Sequence, residues 1–143
     1  MLCMNNYTQE YVDECRAKID AQVAAYRDLV AAAGDTPSTA RLVDAAYAFE
    51  PTFFNNMVLV LDNYFVHRSR TLEKKDGNPL NEVRMLCNSI LNNNGMLTAD
   101  KSIKLDTTRS VLRHQFGDEI KIREADFVQL AKAFFAEVEA KYV

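Results

Sequence analysis

Apolar residues recur at helical spacing over most of this chain, and the interruptions between them delimit the expected elements. From Thr8 to Ala33 the positions Val12, Cys15, Ile19, Val23, Tyr26 and Val30 form one stripe, with Glu10, Asp13, Lys18, Asp20, Arg27 and Asp28 between them. A face of that period predicts a long amphipathic helix. Gly34 is placed to end it, and the run 35–38 supplies a capping side chain with Pro37 at a first helical position. A short helix through Leu42, Val43, Ala46 and Tyr47 should follow. Pro51 lacks an amide hydrogen, so it predicts a break or a restart there, with a central helix over about 51–73.

Asp76-Gly77 reads as a turn, and Asn78 followed by Pro79 reads as a cap and first turn. Val83, Leu86, Cys87, Ile90 and Leu91 then give the next long helix its buried face, closed by the run 92–95. Between Met96 and Arg123 the helical period disappears. Ile103 and Leu105 alternate with Ser102 and Lys104, and Ile120 and Ile122 alternate with Lys121, a period of two that predicts a small antiparallel pair. From Ala125 onward Phe127, Leu130, Ala131, Phe134, Val138 and Tyr142 restore the helical stripe. The expected fold is mainly α: a single-domain helical bundle of three long helices and one short helix, packed around residues 53–66, with a two-stranded β element.

Length and composition agree with one domain. The chain has 143 residues, 48% of them hydrophobic, enough for one sizeable core, and its four Gly and three Pro are too few for a turn-rich β fold. A net charge of -3 argues against a general nucleic-acid binder. Locally, residues 101–123 carry six basic against three acidic side chains, while residues 1–50 carry an excess of four negative charges. That asymmetry fits ordinary solvated surface or steering of contacts between copies.

Cys3, Cys15 and Cys87 are odd in number and have no metal-ligand spacing, so buried reduced thiols are expected in place of disulfides or zinc. The first residues lack the basic start and apolar run of a signal peptide, and no apolar run approaches the ~18 residues of a membrane span. The expectation is a cytoplasmic protein with no membrane or nucleic-acid partner.

The central segment holds the candidate chemistry. On a continuous helix Asn56, Asn63, His67, Arg70 and Glu73 fall within about 60° of one line. Most of the remaining circumference is apolar, from Phe53 and Phe54 through Met57, Val58, Leu61, Tyr64 and Phe65. A helix so nearly apolar all round must be covered on most sides, and a shared face in a homodimer is one source of cover. Its polar stripe is then either a solvent edge or the lining of a pocket with Tyr64 beside it. His67 has no His or carboxylate at metal-ligand spacing, so neither a metal site nor a cofactor is expected.

The turn after it is a second candidate. A helix starting at Asn78-Pro79 presents backbone amides and the positive end of its dipole, close in sequence to Arg68, Arg70 and Lys75. Those groups could hold a small anion, or Glu73, Asp76 and Glu82 could satisfy them internally. No phosphate loop, Gly-x-Ser-x-Gly elbow or Cys/His arrangement is present, and no residue stands out as catalytic. An interaction module acting through binding is the leading expectation. A ligand-binding protein or small enzyme with a pocket near His67 and Arg70 is its rival.

The runs PTFFNNMVLVLDNYFVHRSR and KDGNPLNEVR, followed by DKSIKL and GDEIKIREADF, resemble a family of small uncharacterised bacterial proteins, mainly actinobacterial. The resemblance spans roughly residues 45–143. It implies a discrete single-domain bacterial protein and transfers no functional residue.

Overall fold

The computed structural model describes residues 3–35 and 40–143. It is mainly helical: α1 spans Gln9–Asp35, α2 Ala40–Asn63, α3 Arg70–Glu73, α4 Pro79–Asn92 and α5 Glu124–Tyr142. Thr8 caps α1, its hydroxyl accepting from the Tyr11 amide at 3.1 Å. Val12, Cys15, Ile19, Val23 and Tyr26 are the side chains that α1 buries. The turn expected at 35–38 lies, apart from Asp35 itself, outside the described residues. Phe54, Phe65, Phe127, Phe134 and Tyr142 are nearly fully buried and form the centre of the core, with α4 packed against both α2 and α5.

Three expectations are corrected. Pro51 does not break the chain: the short helix and the start of the central helix are one element, α2. The proline removes the amide that would bond to the carbonyl of Tyr47 four residues earlier. Arg123 replaces it. Its Nη1 donates to that carbonyl at 2.8 Å, and its guanidinium lies 3.8 Å from the centre of the Tyr47 ring. Glu50 then receives Arg123 at 3.1 Å and the Glu124 amide at 2.8 Å, placing a carboxylate at the positive end of α5.

The central helix also ends earlier than its apolar pattern suggests, at Asn63 instead of near residue 73. Beyond it the backbone tightens, with Phe65 N donating to Asp62 O at 3.0 Å and Arg68 N to Phe65 O at 3.1 Å. Met4 then pairs with this segment, its amide donating to His67 O at 2.7 Å and its carbonyl accepting from Ser69 N at 2.8 Å. The stripe from Asn56 to Glu73 is therefore divided between α2, a turn and α3.

Finally, no strand forms among the described residues. Residues 119–123 do not pair with 102–105; an isolated antiparallel bridge joins Met96 to Glu119. Asn55 of α2 takes the place of the missing strand, donating to Ile120 O at 2.8 Å and accepting from Ile122 N at 3.0 Å. The alternation of Ile120 and Ile122 is real, and both are buried, but a side-chain amide completes their backbone bonds. Cys15 and Cys87 are buried and free as expected, whereas Cys3, also expected to be buried, is exposed.

The Pro51 junction yields a prediction. Arg123→Ala should destabilise the domain by about 0.5–1.5 kcal/mol, since it removes the bond to the Tyr47 carbonyl and half of the Glu50 pairing. In a Pro51→Ala background the restored amide satisfies that carbonyl, so the Arg123→Ala loss should shrink. Urea unfolding of the four proteins measures the coupling, and strictly additive losses would rule out the exchange of partners.

Candidate functional site

Arg68 follows Leu61 and Phe65 at spacings of seven and three, so a continued helix would carry it on the apolar face. Ending α2 at Asn63 lets polar groups converge on it instead. Its side chain is fully buried, with Nη1 2.8 Å from Asp62 and 3.0 Å from Phe65 O, and Nη2 3.3 Å from both Glu73 and Leu80 O. Burial disfavours the guanidinium charge, but Asp62 and Glu73 outweigh that and hold its pKa above the ordinary value.

Glu73 is the counterpart, a carboxylate with no exposed surface on the four-residue α3. Arg84 of α4 grips it with two nitrogens, at 3.2 and 2.6 Å. Arg70 approaches to 3.3 Å and Asn81 Nδ2 to 3.4 Å. The Glu73 backbone carbonyl accepts from Asn78 and from Lys141 of α5, both at 2.8 Å. Burial pushes its pKa upward, yet the Arg84 hydrogen bonds and the charges of Arg68, Arg84 and Arg70 win, holding it below the usual carboxylate value.

The amides at the start of α4, a candidate anion site by sequence, are occupied by the protein itself. The Asn78 side chain accepts from Leu80 N at 2.9 Å and Asn81 N at 3.3 Å, and its carbonyl accepts from Glu82 N at 3.1 Å. Pro79 has no amide to offer. Asn81 closes the preceding turn by accepting from Asp76 N and Gly77 N, where Gly77 adopts φ +84°. Of the proposed charge partners, Arg68 is buried, Arg70 donates to Ser102 O at 2.8 Å, and Lys75 hydrogen-bonds to Lys101 O. Asn56, on the exposed side of α2, donates to Thr52 O.

The structure thus separates the eight candidates. Arg68, Arg70, Lys75, Asn78 and Asn56 serve internal hydrogen bonds. Asn63, Tyr64 and His67 instead line one open groove together with the N-terminal segment, namely Met4, Asn6, Tyr7, Thr8 and Tyr11, with Val66 completing it. Its volume is about 750 Å³. Tyr7 and Tyr11 stack with ring centres 5.6 Å apart at 14°, and the Tyr11 hydroxyl donates to Tyr64 O at 2.5 Å, tying the two walls. Burial, with the Cys15 hydrogen bond and charge, pushes the Tyr11 pKa up to about 12, so it remains a donor at physiological pH. Sequence reasoning missed the Tyr7 and Tyr11 wall. The pair at spacing four was its one available signal, but nothing local showed that it faces residues 63–67.

A second buried carboxylate, Glu82, accepts from Val111 N at 2.7 Å and Leu112 N at 3.0 Å. Burial raises its pKa despite those amides and the nearby His114. Among the described residues no three His, Cys, Asp or Glu side chains converge as metal ligands, and no helix is long and apolar enough to cross a membrane. No family model, curated protein or solved structure matches this chain. The resemblance to a bacterial family rests on the quoted runs alone.

Glu73 sets an acid limit to stability. Because its folded pKa is depressed, its contribution is present above the ordinary 4.5 and is lost as pH falls through the lower folded value. Glu82, with a raised pKa, acts in the opposite sense. Glu73→Gln should cost about 3–5 kcal/mol at pH 7, since it strands buried guanidinium charge, and should flatten the fall in stability below pH 4.5. Urea titrations across pH test both effects; an unchanged acid slope would show that other carboxylates control it.

Proposed function

We propose that the protein is a non-enzymatic interaction module of the cytoplasm that associates with a second copy of itself through the distal part of the α1–α2 hairpin. The supporting observation is that no side chain is buried from residue 27 to 35 of α1 or from 40 to 53 of α2. Yet these stretches are not polar. Leu29 is 62% exposed, Phe49 43%, Leu42 42% and Val43 54%. At 1.5 Å per residue the two uncovered stretches extend about 13 and 21 Å, a sizeable helical surface.

The apolar positions are ordered. Gln22, Ala25, Tyr26, Leu29, Phe49 and Phe53 line one shallow groove between the helices, and Leu42 precedes Phe49 by seven residues on the same face. Two helices alone cannot enclose such a face, whereas two hairpins facing each other complete a four-helix bundle. The surrounding charges are mixed, Arg27 and Arg41 against Asp28, Asp35 and Asp44, so no single-sign field opposes self-association. A twofold arrangement presents the same patch twice and is the commonest oligomeric symmetry.

Sedimentation equilibrium should show a dimer at micromolar concentration. Leu29→Glu combined with Phe49→Glu should leave the circular dichroism spectrum unchanged, both sites being exposed, and shift the population to monomer by at least tenfold in Kd. A parent protein that remains monomeric at high micromolar concentration would overturn this reading.

A further inference from the structure

We propose that the groove between the N-terminal segment and the end of α2 binds a planar aromatic carboxylate. It lies at the opposite end of α1 and α2 from the uncovered hairpin, so the two surfaces are independent. About 750 Å³ falls within the size of small-molecule sites, and three of the chain's six tyrosines, Tyr7, Tyr11 and Tyr64, supply its aromatic surface. Flat rings stack or meet such surfaces edge-on with favourable geometry.

Charge and hydrogen bonding select the rest of the ligand. No Asp or Glu lines the groove, and the Lys18 ammonium, outside that lining, lies over the Tyr64 ring at 5.8 Å from its centre. The setting favours an anion over a cation. Asn63 and His67 present polar side chains to the same space, and neither side chain makes a hydrogen bond within the described structure, in contrast to the engaged side chains of Arg68, Arg70, Lys75 and Asn78. Their donors can reach a carboxylate while the ring rests on the tyrosines. The site is held open by fixed backbone: Met4 is bonded to His67 and Ser69, and Tyr7 N donates to Tyr142 O at 2.7 Å.

Indole-3-carboxylate and benzoate are suitable probes, with indole and benzamide as neutral counterparts. The chain has only two histidines, so His67 and His114 are readily distinguished by NMR, and the absence of Trp leaves tyrosine fluorescence as a second readout. Saturable shifts should appear at His67 and Tyr64 while His114 stays still. Asn63→Ala, at an exposed position, should weaken binding at least fivefold without lowering Tm, and Tyr64→Leu, at a ring partly buried against the core, should weaken it as much while the circular dichroism spectrum stays that of the folded parent. Lys18→Met should remove most of the preference for carboxylate over its neutral counterpart. Absence of saturable shifts with both acids at millimolar concentration would overturn the site, as would shifts insensitive to Asn63→Ala and Tyr64→Leu. Equal affinity for the neutral counterparts would overturn the carboxylate assignment.

Discussion

A carboxylate with no exposed surface on a helix of only four residues is the constraint around which this domain is arranged. Glu73 cannot be buried as an isolated charge, because desolvation would outweigh anything its packing contributes. It is accommodated by Arg68 from the turn after α2, Arg84 from α4 and Arg70 from its own helix. Lys141 of α5 reaches the backbone carbonyl of the same residue. One glutamate thereby fixes the relative positions of four parts of the fold: the turn after α2, α3, α4 and α5. α3 has little intrinsic stability at that length, so these tertiary bonds hold it in place.

The same constraint explains where the central helix stops. Arg68 would occupy an apolar face if α2 continued, and it has to reach Asp62, Glu73 and two carbonyls to be buried as a charge. The backbone therefore leaves the helix after Asn63, and Met4 bonds to the segment so released. This rearrangement turns Tyr64 and His67 towards the N-terminal tyrosines and creates the groove. The buried charge network and the exposed groove are two sides of one turn.

Much of the fold was legible because it rests on local rules. The apolar stripes of α1, α4 and α5, and the Asn78-Pro79 start of α4, follow from helical period and capping. What was not legible depends on groups distant in sequence. Pro51 sits inside α2 because Arg123, far along the chain, bonds to the Tyr47 carbonyl. The alternating residues 120–122 do not form a sheet because Asn55 supplies the neighbouring donor and acceptor. Likewise the polar residues from Asn56 to Glu73 looked like one stripe only on an unbroken helix. Asn63, Tyr64 and His67 still share a site, whereas Arg68 and Arg70 belong to the interior network, a division that wheel position alone could not reveal.

The irregular segment 96–123 shows the same principle. With no sheet to satisfy its backbone, it borrows acceptors and donors from the helices: Ser89 accepts from Thr98 N, Glu82 from Val111 and Leu112, and Asn55 serves both Ile120 and Ile122. Each of these is a polar side chain whose burial would be costly without its loop partner, and each loop amide would be unsatisfied without the helix. Helices and loop therefore order one another. The interior hydrogen bonds are concentrated around α3, α4 and this segment, while the uncovered hairpin and the tyrosine groove lie at opposite ends of α1 and α2. Surface chemistry at the hairpin end can consequently vary without disturbing the buried charges, whereas the groove shares with them the turn that holds Arg68.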